Sequence, residues 1–119
     1  MEPLAIADSD YVFRRIYPDT IAKDGTLEST SFSDREDTPS CHLQSLANPH
    51  KILEDNPGMD RLVRLSVGQI RELGLDVVHD PLPEDHSHCL IVGTEGRKLN
   101  RRKRQKLCEL AEVVQPWPS

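Results

Sequence analysis

Residues 61–79 read RLVRLSVGQIRELGLDVVH, and this stretch decides the fold. Arg61–Leu65 alternates, placing Val63 and Leu65 on one face as a half-buried strand does. Ser66 and Gln69 then stand at the spacing of a capping box, in which the Ser66 hydroxyl accepts from the Gln69 amide and the Gln69 side chain answers Ser66. Val67, Ile70 and Leu73 fall on one helical stripe. Gly74 follows where a left-handed C-cap is needed, and Leu75 beyond it supplies the accompanying hydrophobic contact. Leu75–His79 resumes as a strand. The expectation is a capped helix between two strands that share a sheet.

Upstream, Tyr11–Ile16 (YVFRRI) mixes aromatic and β-branched residues in the alternation of a strand. Pro18-Asp19 and Asp24-Gly25 are turn signals, and Thr26–Phe32 (TLESTSF) reads as a further short strand. Ser33–Ser40 is polar and reads as a loop. Leu43, Leu46, Ala47, Ile52 and Leu53 fit a helix broken at Asn48-Pro49, with Pro49 able to open a second short helix. Asn56-Pro57-Gly58 punctuates that region. Downstream, Asp80–Ser87 (DPLPEDHS) is an acidic loop stiffened by Pro81 and Pro83. His88–Val92 is a strand, and a long helix then runs to Val114, its buried face being Leu99, Leu107, Leu110, Ala111 and Val114. The fold class is therefore α+β: one small domain with about four or five short strands and three helices, the last long and basic. Residues 1–10 read as a flexible segment, 11–114 as the domain and 115–119 as a tail.

The chain has 119 residues, 36% of them hydrophobic and only 4% aromatic, so aliphatic side chains must fill a small core. No run of about 18 apolar residues occurs, which argues against a membrane span. The acidic start, MEPLAIADSD, has neither the basic nor the apolar region of a secretory signal. The three cysteines, an odd number without paired spacing, point away from a disulfide framework and towards a reducing, cytoplasmic setting.

Charge is distributed unevenly. Seven of the fifteen Lys and Arg residues lie in Arg97–Lys106, so this segment carries +7 while the rest of the chain carries a formal −12. Like charges so concentrated repel one another and call for an anionic partner, inside or outside the chain. Cations at a helix N-terminus also oppose the macrodipole, and a bound anion reverses that cost. Arg97, Lys98, Arg101, Arg102 and Arg104 are the candidate anion- or nucleic-acid-binding residues.

The preceding Gly93-Thr94-Glu95-Gly96 resembles the phosphate-contacting Gly-x-x-Gly loop of KH domains, whose following helix is also basic. That resemblance implies nucleic-acid contact, although in KH domains a helix precedes the loop and here HCLIV reads as a strand. Arg14 or Arg15 with Ser29-Thr30-Ser31 is similar to the Arg and Ser-Thr-Ser strand of ADP-ribosyltransferases, but no downstream carboxylate can be matched. The order VFRRIYPDTI, STSFSD, LSVGQIRELGLDVVHDPLPEDHSH and a basic helix resembles short bacterial proteins of unassigned function over Phe13 to Val114. That similarity implies no activity.

Cys41, His42, His86, His88 and Cys89 are the candidate metal ligands. His86-Ser-His88 would turn two imidazoles to one side if strand-like, yet no CxxC or HExxH is present and structural zinc needs convergent ligands. Neither Cys89 nor Cys108 has a histidine fixed beside it by the sequence, so no nucleophile–base set emerges. A complete catalytic set is missing, and no cofactor is expected. The expectation is a non-catalytic binding or accessory component acting on another protein, with a nucleic-acid or phosphate module as the alternative. A third reading is a small enzyme or metal-binding protein joining His86 and His88 to Arg14 and Ser31.

Overall fold

The computed structural model describes residues 2–33, 38–54, 61–93 and 98–114. Six strands form one sheet: β1 (Tyr11–Ile16), β2 (Ser40–Leu43), β3 (Arg61–Ser66), β4 (Asp76–His79), β5 (His88–Val92) and β6 (Glu112–Val113), in the order β4-β5-β2-β1-β3-β6. Every neighbouring pair is antiparallel. The helices are α1 (Pro49–Glu54), α2 (Val67–Glu72) and α3 (Arg101–Leu110), with 3-10 turns at Pro18–Thr20, Ser29–Phe32 and Gln44–Leu46.

The β3–α2–β4 unit forms as its residues dictate. The Ser66 hydroxyl accepts from the Gln69 amide at 3.3 Å, and Gly74 takes a positive φ of 82°, a conformation that costs an L side chain about 1–2 kcal/mol. Leu75 is buried just beyond it. The helix carries the chain from β3 at one side of the sheet to β4, the edge strand at the other.

Alternation along the strands divides the sheet into unlike faces. Val12, Ile16, Leu43, Cys41, Val63, Leu65, Cys89, Ile91 and Val77 share one face and form the main core with Phe32, Val67, Ile70, Leu99 and Leu107. On the other face Phe13 and Leu62 meet Ile52 of α1 in a second, smaller cluster. The rest of that face mixes polar side chains with Tyr11, Val78, Leu90 and Val92.

Several expectations are corrected. Among the described residues the sheet has six strands, because β2 and the two-residue β6 join it. Ser29–Phe32 is a 3-10 turn and not part of a strand: Phe32 drops into the main core while the Ser31 carbonyl turns to meet Arg14. Thr26 instead closes a tight turn, its amide and hydroxyl both donating to Asp24 beside Gly25 at φ 89°. The first half of the expected Leu43–Leu53 helix is strand and 3-10 turn, whereas Pro49 does open α1.

The last helix is ten residues long and stops at Leu110. Ala111 is extended and Glu112–Val113 pairs with β3, so the apolar Val113–Val114 pattern belongs partly to a strand. Residues 4–10, expected to be unanchored, are tied down. Leu4 donates its amide to His79, Arg71 donates to the Ile6 carbonyl and to Asp8, and Gly68 and Val67 donate to the Asp8 and Asp10 carbonyls. Met1, Asn56-Pro57-Gly58, Thr94–Arg97 and the expected tail 115–119 lie outside the described residues.

Candidate functional site

Asn100 starts α3, its side chain accepting from the Lys103 amide at 2.9 Å. Arg101 and Arg102 therefore occupy the first two helical positions, where the dipole disfavours cations. Both are exposed, as is Lys98. Their neighbours are engaged internally. Lys103 donates to the Leu73 carbonyl beside Gly74, closing the C-terminal end of α2. Arg104 donates to the Leu99 carbonyl at 2.9 Å, and Lys106 pairs within its own helix with Glu109 at 3.7 Å. Lys98, Arg101 and Arg102 make no ion pair among the described residues. Arg97, the fifth candidate, and the Thr94–Gly96 part of the glycine loop lie outside the described residues.

Apart from Glu109, the acidic side chains in ion pairs among the described residues lie away from α3. Asp8 and Asp76 both hold Arg71, Glu112 holds Arg64 at 3.1 Å, and Asp80 and Asp85 face histidines. A groove of about 570 Å³ runs between α3 and the Ser29–Phe32 turn, lined by Arg101, Arg104, Gln105, Ser29 and Thr30 together with Glu28 and Leu27.

Arg14 and Ser31 are brought together, though not as a reactive pair. Arg14 is on the core-facing side, donating from Nε to the Ser31 carbonyl at 2.9 Å and from Nη1 to the Ser40 carbonyl at 2.7 Å. Its guanidinium lies 5.3 Å from the Phe32 ring centre, and the residue as a whole is only 7% exposed. The Ser31 hydroxyl donates to the Thr20 carbonyl at 3.0 Å. Arg14 thus clamps the 3-10 turn to the sheet.

The five candidate metal ligands are divided. Cys41 and Cys89 face the main core, while His42 and His88, one residue along from each, face the opposite side. His86 is exposed in the loop, and its carbonyl meets His79 Nε2 at 2.6 Å. Among the described residues no group of three or more His, Cys, Asp and Glu side chains is placed to hold a metal ion. His88 is turned to Asp80, with Nδ1 3.1 Å from the carboxylate and 3.0 Å from the carbonyl. His88 and the Arg14–Ser31 clamp consequently occupy opposite faces of the sheet.

The polar face holds an arrangement that the residue pattern did not announce. His42, buried at 6% exposure, stands between Arg15 and Asp85. Its Nε2 is 3.1 Å from Arg15 Nη1, and its Nδ1 is 2.9 Å from Asp85 Oδ2 and 3.2 Å from Ser87 Oγ. A guanidinium only donates, so Nε2 accepts and Nδ1 carries the proton towards Asp85. Burial holds the His42 imidazole below its ordinary value, with the Arg15 and His88 charges acting in the same direction and Asp85 opposing them. Burial disfavours the Asp85 carboxylate, but the Ser87 hydroxyl and amide and the His42 ring hold it below the usual carboxylate range.

Chemically, this array is closed. The Ser87 hydroxyl donates to Asp85, and the His42 nitrogen that would serve a nucleophile is occupied by Arg15. The residue signal was partial. Asp85-x-Ser87 is the spacing of an Asx turn, in which the aspartate accepts from the amide two residues on. His42, however, lies on a strand hidden behind a polar loop.

No protein-family model matches the chain, no curated protein is significantly similar to it, and no solved structure matches it significantly.

Proposed function

We propose that the protein is a non-catalytic binding component that docks on an acidic protein surface through the N-terminal end of α3. One observation carries this reading. Lys98, Arg101 and Arg102 are exposed cations without an ion pair among the described residues, in a chain whose net charge is −5. Three charges left open beside the positive end of a helix raise the energy of the isolated protein, and an anionic partner relieves it. The overall acidity weighs against a long polyanion, which the remainder of the chain repels beyond the patch. A compact acidic surface meets only the basic end.

The test is a titration of the labelled protein, followed by NMR, with an oligoglutamate peptide and separately with single-stranded RNA at ~50 mM salt, where such contacts are strongest. Shifts at Lys98–Arg102 with the peptide, lost in Arg101→Glu/Arg102→Glu and weakening log-linearly with salt, are the expected result. Binding of RNA without binding of the peptide overturns it. The groove favours that second reading, since Arg101 and Arg104 face the Ser29 and Thr30 side of it, and guanidinium and hydroxyl groups together suit a phosphate.

A further inference from the structure

Two of the three cysteines stand directly opposite each other. Cys41 of β2 and Cys89 of β5 are register partners on the core-facing side, and neither has exposed surface. The ladder bonds on either side, Leu43 amide to Ser87 carbonyl at 2.7 Å and Ile91 amide to Pro39 carbonyl at 2.9 Å, link residues two positions away in each direction. Cys41 and Cys89 therefore form a hydrogen-bonded pair, whose Cα atoms are typically ~5.5 Å apart, within the ~4.4–6.8 Å that a disulfide spans. Side chains at such a pair diverge more than at the alternate position. A bond between them would be strained and readily reduced.

We propose that Cys41 and Cys89 are a redox modification site, closed by hydrogen peroxide into a reversible disulfide across β2 and β5. Cys89 is the attacking sulfur, because β5 borders the edge strand β4 while Cys41 on β2 lies one strand further in. The adjacent Cys41 thiol holds it below the ordinary thiol value, burial opposing and the Leu43 amide assisting. Cys108 is the contrast: burial pushes its thiol up to about 11, which leaves little thiolate at neutral pH.

In the first step the Cys89 sulfur attacks the peroxide, the O–O bond breaks, and Cys89 becomes a sulfenic acid with release of one water. In the second the Cys41 sulfur attacks the Cys89 sulfur, the S–O bond breaks, and a second water leaves with the Cys41 proton. Two thiols are oxidised and one peroxide is reduced to two waters. Entry is through β4, a four-residue edge strand paired on one side to β5. Its opening uncovers Cys89 without unfolding the rest of the sheet.

The experiment treats the folded, full-length protein with hydrogen peroxide and reads intact mass, free thiols and a peptide map. Loss of two hydrogen atoms, a Cys41–Cys89 cross-link, a free Cys108 and full reversal by dithiothreitol are expected. Cys108→Ser should behave identically. Cys41→Ser, or Cys41→Ala should the serine variant not fold, should instead accumulate a dimedone-reactive sulfenic acid at Cys89. Three thiols surviving peroxide overturn the proposal, as does oxidation confined to Cys108. Direct passage of Cys89 to sulfinic acid with Cys41 still free overturns it as well.

Discussion

The two faces of the sheet solve the same problem differently. One is sealed by α2, α3, the Ser29–Phe32 turn and the N-terminal segment, and buries aliphatic side chains together with the clamped guanidinium of Arg14 and the ring of His79. Among the described residues the other has α1 and the Gln44–Leu46 turn over Phe13 and Leu62, and holds Arg15, His42, Asp85, Ser87 and His88 beside them. Sealing a face removes water, so stability there follows apolar area. A half-covered face must satisfy its polar groups mutually, and its stability depends on protonation. The difference separates where this chain stores stability from where conditions can alter it.

Side-chain truncations should separate the two faces most strongly. Phe32 has no exposed surface and packs against both the main core and Arg14, so Phe32→Ala should cost about 3–5 kcal/mol, near the upper range for core truncations. Ile52 is 7% exposed in the three-residue buried cluster of the other face. Its six-residue helix can settle into the space, so Ile52→Ala should cost about 2 kcal/mol. Urea unfolding of both variants measures the two losses. Equal costs would mean that the second cluster is as much a core as the first.

The polar face should respond to pH through His42. Because burial depresses the folded-state value of His42, the unfolded chain takes up that proton first as pH falls. The stability His42 contributes is present above its unfolded value, ~6.5, and is lost as pH descends through the folded one. Unfolding free energy measured from pH 8 to 5 should therefore decline, and His42→Asn should flatten the part of the slope below ~6.5. An identical slope in the variant would show that another histidine carries it.

Legibility in the sequence divides along related lines. Tyr11–Ile16, Arg61–His79 and His88–Val92 were readable because local signals agreed with tertiary demand: alternation, a serine cap, a glycine at positive φ. β2 was hidden because SCHL is four residues long and places Cys41 and Leu43 on one face and His42 on the other, which no short-range pattern distinguishes from a loop. The early end of α3 was hidden because Ala111 and Val114 extend the helical stripe of Leu107 and Leu110, and pairing of Glu112–Val113 with β3 ends the helix instead. The basic residues of the candidate face were evident from charge alone. Their division was not: Lys103 and Arg104 serve backbone carbonyls, which charge patterning cannot reveal, while Lys98, Arg101 and Arg102 face solvent.

The smallest predicted effect tests whether those exposed cations serve folding at all. Arg101 and Arg102 follow the Asn100 cap at the positive end of α3, where acidic residues are favoured and cations disfavoured by ~0.3–1 kcal/mol each. Arg102 also stands four residues before Lys106, a like-charge spacing that destabilises by a few tenths of a kcal/mol, whereas Glu in that place would attract it. Arg101→Glu/Arg102→Glu should consequently leave the fold intact and raise thermal stability slightly, by roughly 0.5–1 kcal/mol. A variant that gains stability while losing anion binding shows that these arginines are kept for a partner at a cost to the isolated protein. A variant that unfolds more easily shows that they hold an intramolecular contact, and the docking role passes to Lys98 alone.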